Sequence, residues 1–231
     1  MKKIKNIINM ALENKQRTLS EYESKQIISA YGIPVVKEAL VCDRYEARKA
    51  IEQIGYPVVL KICSPEVTHK TEKGFIVKDI RNEKELDQAF LLLQERIERK
   101  HREFVIQEMI RGLRELAIGM SRDQQFGPCV MFGLGGIFTE IINDVTFRVA
   151  PIEKRDALEM MHDIGANRIL EEIRGMKAVN LDILSESLIA LGKIGMEHPS
   201  IQAIDVNPMI IHDEQAVAVD ALVILSGTEA R

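Results

Sequence analysis

A lysine in the first third of the chain has the surroundings of a buried anion-binding group. Lys61 follows the apolar run Val58-Val59-Leu60 and precedes Ile62, and such β-branched enrichment is typical of a buried strand. A buried ammonium group requires a nearby anion, because desolvating an unpaired charge is costly. That anion is either a carboxylate, which would make Lys61 half of a structural ion pair, or a phosphate of a ligand.

A histidine lies in the polar loop that follows this strand. Residues 64–73 form the loop, Gly74 closes it, and His69 stands beside Lys70 and close to Lys73. Imidazole acts as a base, a metal ligand or a nucleophile near neutral pH, and the neighbouring ammonium groups would hold phosphate oxygens. A solvated loop histidine is the alternative. The phosphate interpretation is favoured when His69 is taken together with the motifs below.

Acidic residues flank the strand predicted at residues 104–110. Glu108, Met109 and Ile110 form its end, and Glu115 follows a glycine-containing turn. Exposed backbone amide and carbonyl groups at such an edge can read an adenine base, and a carboxylate can accept hydrogen bonds from ribose hydroxyls. The alternative is a pair of surface glutamates without a ligand.

A glycine-rich segment follows the apolar strand predicted at residues 128–134. Gly133, Gly135 and Gly136 let the backbone approach an anion closely and present N–H groups to it. A tight turn would use the same residues. Glu140 follows shortly afterwards, and an acid beside an apolar strand pair favours a phosphate loop over a simple turn.

An asparagine and an aspartate near the C-terminus have the character of metal ligands. Asn207 precedes Pro208, Asp220 lies thirteen residues after Asn207, and a turn is predicted between them at Asp213-Glu214. The resulting hairpin would place Asn207 and Asp220 on adjacent strands. Oxygen ligands without histidine or cysteine suit Mg²⁺, which also binds substrate phosphates. The alternative is an Asn-Pro turn and a capping aspartate.

Helices and strands must position these residues, and hydrophobic periodicity and capping signals predict where they lie. These signals predict a helix-rich first half and an antiparallel, strand-rich second half. We predict two lobes: 1–107 with the histidine loop, and 108–231 with the glycine-rich and metal-binding segments. Glu21 is expected to complete a capping box with Thr18 at the start of the second helix. The predicted helices span residues 4–15, 18–31, 45–54, 83–99, 156–163, 167–173 and 181–195. The predicted strands and extended segments span residues 34–41, 58–62, 75–80, 104–110, 114–120, 128–134, 145–150, 201–206, 210–212 and 217–225.

Composition and charge argue against several other classes of protein. The 231 residues carry a net charge of −4, whereas a dedicated nucleic-acid-binding protein is usually basic. The N-terminal residues lack the apolar core of a signal peptide, and no apolar run approaches the ~20 residues that a membrane span needs. The three cysteines show no metal-binding spacing, which favours a reducing compartment. We therefore predict a cytoplasmic protein that binds neither nucleic acid nor membrane.

Taken together, these motifs resemble the ATP-grasp fold, an α/β (α+β) fold in which a nucleotide binds between two lobes. In particular, they resemble the β subunits of ADP-forming acyl-CoA synthetases such as acetate–CoA ligase (ADP-forming), relatives of succinyl-CoA synthetase. The resemblance covers residues 18–225. It is most specific in three segments, which read SPEVTHKTEKG, MFGLGGIFTEIINDVTFRVAPI and IDVNPMII.

The resemblance implies a role for each candidate residue. His69 is expected to be transiently phosphorylated, and Lys61 to contact nucleotide phosphates. Phe75 departs from the family, because many relatives have a second glycine after Gly74. The remaining candidates are expected to read adenine (Glu108, Met109 and Ile110), to lie near the nucleotide (Glu115), to line a phosphate loop (Gly133, Gly135 and Gly136) and to bind the metal (Asn207 and Asp220).

The resemblance also implies an activity, cofactors and a partner. The expected reaction converts acetyl-CoA, ADP and phosphate into acetate, ATP and CoA, with ATP/ADP and Mg²⁺ bound to this chain. An α subunit would carry the CoA-binding and acyl-phosphate site, in an α₂β₂ assembly. Two alternatives stay open: a carboxylate–amine ligase of the same fold without phosphohistidine, and a non-catalytic, nucleotide-sensing subunit.

Overall fold

The computed structural model describes residues 2–64, 74–96, 103–136, 142 and 144–226. Its backbone contacts divide the chain into two compact units. We call Ser20–Tyr22 with Val36–Ile110 the small unit. The large unit consists of Met1–Leu19, Glu23–Val35 and Arg111–Arg231. No helix in the described part of the chain is long and apolar enough to cross a membrane.

The small unit is built on a four-stranded antiparallel sheet in the order β1-β4-β2-β3. Every residue of the inner strand β2 is buried, as its continuous apolar sequence predicts. Helix α3 begins where the Asp43 side chain accepts a hydrogen bond from the Glu46 amide, and it ends at Gly55. The elements are β1 (Glu38–Val41), α3 (Arg44–Ile54), β2 (Val58–Ile62), β3 (Ile76–Ile80), α4 (Glu83–Arg96) and β4 (Phe104–Glu108).

The large unit is built on a six-stranded antiparallel sheet in the order β10-β8-β5-β6-β7, with β9 also paired to β8. Helix α6 begins at the cap Asn180 and buries Leu184, Leu188 and Leu191 where it packs against β5 and β6. The helices are α1 (Lys2–Glu13), α2 (Glu21–Ala30, which belongs to this unit from Glu23 onward), α5 (Lys154–Asp163) and α6 (Leu181–Glu197), with a 3-10 turn at Asn167–Leu170. The strands are β5 (Glu115–Asp123), β6 (Gly127–Leu134), β7 (Val145–Val149), β8 (Ile201–His212), β9 (Gln215–Ala218) and β10 (Leu222–Leu225).

The N-terminal residues belong to a different unit from the one that the sequence predicts. The change of unit at Ile110 and Arg111 lies close to the predicted boundary of 107/108. Residues 1–19 and 23–35, however, group with the large unit, because Ile4, Ile8 and Ile27 are buried in its core. Helical periodicity shows that a helix has an apolar face, but it does not show which sheet covers that face.

Most predicted elements lie where the sequence places them, and the largest difference concerns β8. The sequence predicts a strand that ends at Val206, before the Asn207-Pro208 pair, whereas β8 continues from Ile201 to His212. Proline removes one backbone donor from a strand, but the Pro208 carbonyl still accepts a hydrogen bond from the Val219 amide at 3.0 Å. The strand therefore continues past the proline with its pairing to β9 preserved, while its register to β5 shifts between Val206 and Met209.

Candidate functional site

Lys61 forms a buried ion pair in the small unit. It lies on β2 between Val105 on β4 and Ile76 on β3, and its Nζ is 2.6 Å from the Glu21 Oε1. The side chains of Lys61 and Glu21 are only 5% and 2% exposed. In this structure, therefore, a carboxylate supplies an anion that the buried lysine requires.

The segment predicted to read adenine is held by hydrogen bonds within the small unit. The Glu108 amide donates to the Lys37 carbonyl at 2.9 Å, and the Met109 amide donates to the Pro57 carbonyl at 3.1 Å. The Glu108 carboxylate accepts a hydrogen bond from the Lys37 amide at 2.7 Å. Two of the three predicted amide donors thus have protein acceptors. A role of Ile110 and of the segment's carbonyl groups in base recognition stays a prediction.

The predicted phosphohistidine lies outside the described residues. His69, Lys70 and Lys73 all belong to residues 65–73, which the structure does not describe. The C-terminal flank of that stretch is described: the Gly74 carbonyl accepts a hydrogen bond from Arg96 Nη1 at 2.6 Å. Phe75 packs against the core of the small unit, and its carbonyl accepts a hydrogen bond from the Ile62 amide at 3.1 Å. Phe75 is therefore tied to β2.

The two predicted metal ligands lie opposite each other in the large unit. Strand β8 pairs with β10 through Asp205 and Leu222, and with β9 through Met209 and Ala218. Both pairings have the same register. The hydrogen bond from the Val219 amide to the Pro208 carbonyl extends this register into residues 219–221, which connect β9 to β10. That register places Asn207 opposite Asp220. The predicted hairpin therefore brings them together, while their role in metal binding stays a prediction.

Asp205 belongs to the same sequence motif as Asn207, which reads Asp205-Val206-Asn207-Pro208, but it is not among the predicted metal ligands. It lies two residues before Asn207 on β8, and side chains two residues apart on a strand point to the same face. The Asp205 side chain retains solvent exposure, yet the surrounding protein desolvates it in part. The pKa of Asp205 is raised to about 6. Desolvation is the larger cause, and the nearby negative charge of Asp220 is the second. In the sequence, the apolar Val206 between the polar residues Asp205 and Asn207 indicates that Asp205 and Asn207 lie on the same face of the strand.

The glycine-rich segment contacts the metal-ligand candidates through its backbone. The Gly136 amide donates to the Asn207 Oδ1 at 2.8 Å, and the Gly135 amide donates to the Glu115 carbonyl at 2.9 Å. Gly133 lies on β6, where it pairs with β5 and β7. In this structure the Gly135 and Gly136 amides therefore serve protein acceptors. Their predicted role as donors to phosphate stays a prediction.

Glu115 lies beside this segment at the start of β5, paired with Ile210 of β8. A Cβ atom added to Gly136 would overlap the Glu115 carboxylate, so the two residues are in immediate contact. The structure thus brings Glu115, Gly136 and Asn207 together in the large unit. We call these three residues the Asn207 cluster.

The oxygen-rich residues around Asn207 fit a magnesium ion. The candidate donors are two carboxylates, from Asp205 and Asp220, and the amide oxygen of Asn207. Mg²⁺ prefers oxygen donors of these types and completes its shell with water and phosphate. The effect of Asp220 on the pKa of Asp205 shows that the carboxylates repel each other, which a cation would relieve. In the described part of the chain, no three His, Cys, Asp or Glu side chains converge as a metal site.

Comparison with known proteins identifies the family. A model of the ATP-grasp domain matches residues 10–225. The chain belongs to the ATP-grasp family. The predicted fold class is therefore confirmed, and the helices and antiparallel sheets of the two units are those of an ATP-grasp protein.

The ATP-grasp chain is similar to ADP-forming acetate–CoA ligases. It is 43% identical over 228 residues to the β subunit of acetate–CoA ligase (ADP-forming) I from Pyrococcus furiosus, covering 96% of this chain and 98% of that subunit. It is 36% identical to acetate–CoA ligase (ADP-forming) I from Archaeoglobus fulgidus, covering 96% of this chain but 33% of that protein. The predicted resemblance to ADP-forming acetate–CoA ligase β subunits is confirmed.

A solved structure shows the same similarity at the level of the fold. The dinucleotide-forming acetyl-coenzyme A synthetase 1 of Ca. Korarchaeum cryptofilum superposes with a TM-score of 0.86 at 40% identity, covering 96% of this chain and 100% of that chain. That complex contains coenzyme A and Mg-AMPPCP, and its phosphohistidine segment points towards the nucleotide-binding site.

Proposed function

We propose that this chain is the nucleotide-binding β subunit of an ADP-forming acyl-CoA synthetase. The complete enzyme would convert acetyl-CoA, ADP and phosphate into acetate, ATP and CoA. The observation that carries the proposal is the match to the Pyrococcus furiosus β subunit, which covers 96% of this chain and 98% of that subunit at 43% identity. Because the match covers nearly the full length of both chains, it supports the same role in the same kind of enzyme as well as a shared fold.

The proposed chemistry divides between two chains. On the α chain, phosphate attacks the thioester carbonyl, CoA leaves as the thiol, and an acyl phosphate forms. A histidine of the α chain takes the phosphoryl group, acetate leaves, and His69 of this chain then accepts that group. In the last step a terminal phosphate oxygen of ADP attacks the phosphorus, the P–N bond to His69 breaks, and ATP forms. His69 accepts the group through an unprotonated ring nitrogen.

Lys61 is proposed to neutralise charge on the nucleotide phosphates. An ammonium group on a buried strand is pre-positioned and strongly attracted to phosphate because little water screens it. The carboxylate of Glu21 at 2.6 Å favours the charged form of the lysine in this apolar environment. Glu108, Met109 and Ile110 are proposed to lie at the adenine, with Glu115 near the nucleotide.

Asn207 and Asp220 are proposed to hold Mg²⁺, with Asp205 as a further carboxylate beside them. When bound, the ion would neutralise charge on the ADP phosphates and the transferred phosphoryl group. The chain's own contribution is a set of oxygen donors placed by the register of β8, β9 and β10. We place the glycine-rich residues Gly133, Gly135 and Gly136 beside this site.

The partner is proposed to be an α chain that binds CoA and the acyl group, in an α₂β₂ assembly. This proposal is supported by the Archaeoglobus fulgidus relative, of which this chain matches only 33%. None of the three cysteines, all of which lie in the described part of the chain, forms a disulfide, and this agrees with the reducing cytoplasm that we propose as the compartment.

Reconstitution tests the proposed function. The chain purified alone should bind Mg-ADP and gain thermal stability from it, but it should form no ATP from acetyl-CoA, ADP and phosphate. Adding the α chain should start ATP formation and give a larger complex in size-exclusion chromatography. Substantial ATP formation by the purified chain alone would contradict the assignment as a β subunit. Absence of any nucleotide binding would contradict it equally.

A further inference from the structure

We propose that the glycine-rich segment at residues 133–136 is a positioning device for Asn207. In this role the Gly136 amide fixes the Asn207 side chain so that its oxygen, and not its nitrogen, is the ligand atom. Gly136 is thus a positioning residue. The inference rests on the proposed function in one respect, because it takes Asn207 as a metal ligand.

The hydrogen bond from Gly136 determines which end of the Asn207 amide faces which neighbour. A side-chain amide has an oxygen that accepts and a nitrogen that only donates. Because the Gly136 N–H points at Oδ1 from 2.8 Å, a flipped amide would bring two donors together. The oxygen has a second lone pair, which stays available for a cation. Hydrogen bonds of this kind orient metal ligands, and their loss typically weakens metal affinity about 10–100-fold.

The local backbone is shaped to deliver this one N–H group. Gly136 has a φ of +60°, in the left-handed region where L side chains are strained. A Cβ atom at this position would also overlap the Glu115 carboxylate. The preceding residue anchors the segment, because the Gly135 amide donates to the Glu115 carbonyl, and a Cβ on Gly135 would overlap the Leu116 backbone. Only glycines allow the segment to lie this close to β5.

This geometry separates two roles for the same glycines. A phosphate cradle needs amides that point at the anion, whereas the Gly135 and Gly136 amides point at Glu115 and Asn207. The close approach that glycine permits is therefore used to support a ligand residue. It follows that Gly136 should influence metal affinity without contacting the metal.

A pair of glycine substitutions tests the inference in the full chain. Gly136→Ala puts a side chain into the Asn207 cluster, and Gly127→Ala is the matched control. Gly127 also has a positive φ, +77°, and it begins β6, but nothing lies within 4 Å of its Cβ position. Both substitutions should lower thermal stability through backbone strain, while only the first should displace the Gly136 amide.

The readout is the affinity for Mn²⁺, followed by electron paramagnetic resonance as a probe of the magnesium site. Gly136→Ala should weaken Mn²⁺ binding about 10-fold or more, whereas Gly127→Ala should leave it unchanged. Equal Mn²⁺ affinity in the two variants would overturn the inference. Backbone strain, which both substitutions cause, would then account for everything that Gly136→Ala does.

A double variant keeps the test decisive if Gly136→Ala does not fold. Glu115→Ala removes the carboxylate that the new Cβ would overlap. The double variant Gly136→Ala/Glu115→Ala should therefore recover most of the Mn²⁺ affinity of the Glu115→Ala protein. If the double variant folds but binds Mn²⁺ much more weakly than the Glu115→Ala protein does, the overlap is not the cause and the inference fails.

Asn207→Ala separates this inference from the proposed function. If Asn207→Ala binds Mn²⁺ as the wild type does, Asn207 is not a ligand, and the proposed metal assignment fails together with the inference. If Asn207→Ala loses Mn²⁺ binding but Gly136→Ala retains it, the metal assignment stands and only the positioning role of Gly136 is wrong.

Discussion

Lys61 and Glu21 form an ion pair from which solvent is almost completely excluded, with Nζ and Oε1 2.6 Å apart and side-chain exposures of 5% and 2%. A pair of this kind is weak evidence for stability, because the cost of desolvating two charges offsets most of their attraction. Its presence on an apolar strand therefore favours a functional role for the lysine charge, and that role can be separated from stability by substitution.

Removing both charges should restore the fold but not the binding of nucleotide. Glu21→Gln alone should lower the free energy of unfolding, because it removes the carboxylate that lies 2.6 Å from the buried ammonium group. The double variant Glu21→Leu/Lys61→Met should be nearly as stable as the wild type. Its affinity for ADP, measured by titration calorimetry, should nevertheless be lost. Wild-type ADP affinity in the double variant would remove Lys61 from the phosphate site.

His69→Asn should block one half of the reaction and leave the other half intact. Asparagine cannot carry a phosphoryl group, so the reconstituted enzyme should form no ATP. Exchange between acyl phosphate and acyl-CoA on the α chain should continue, and Mg-ADP should bind as before. In the wild type, label from radioactive phosphate should appear on this chain as a base-stable, acid-labile adduct. ATP formation at the wild-type rate would exclude a phosphoryl-carrier role for His69.

The partner of Lys61 shows where prediction from sequence ends. The strand Val58–Ile62 was predicted with the bounds that the structure has, because a continuous apolar run is a local signal. For Glu21 the sequence predicts only a capping box with Thr18, because the neighbouring residues have that pattern. Its ion pair with Lys61 joins residues forty positions apart, and no local periodicity records such a pairing.

The Asn207 cluster shows the same limit for the candidate site. The opposition of Asn207 and Asp220 was predictable because a short hairpin fixes the register of its strands. The bond from Gly136 to Asn207 was not predictable, because it spans 71 positions. The sequence indicated that the glycines allow a close approach of the backbone, but only the fold shows that the approaching group is a side chain of the same protein.

Stability should fall as the pH drops through the range in which His198 titrates. His198 is buried, and its Nε2 lies 2.9 Å from the Tyr31 hydroxyl. Desolvation, with a smaller contribution from Lys5, lowers the pKa of His198 against an opposing effect of Glu197. The unfolded chain therefore binds the proton more readily, so this contribution to stability is complete above the ordinary histidine pKa of about 6.5 and is lost below it.

Thermal melts at pH 7.5 and pH 5.5 would measure this contribution, with both values chosen to bracket the ordinary histidine pKa of about 6.5. His198→Gln keeps a hydrogen-bonding side chain near Tyr31 but does not titrate, so the loss of stability at the lower pH should be smaller than in the wild type. His162→Gln is the control, because the side chain of His162 is 87% exposed and its replacement should change nothing. An identical pH dependence in His198→Gln and wild type would contradict the assignment.

Asp220→Ala should change the metal requirement of the enzyme more than its stability. Asp220 lies opposite Asn207 in the register shared by β9 and β10, and losing one ligand from a site completed by nucleotide phosphates should weaken metal and nucleotide together. The Mg²⁺ concentration for half-maximal ATP formation should rise about 10-fold or more. Asp213→Ala, in the β8–β9 turn, is the matched control and should leave this concentration unchanged. If Asp220→Ala instead unfolds the protein, and the fraction that stays folded shows the wild-type requirement for Mg²⁺, then Asp220 has a structural role and the metal is held elsewhere.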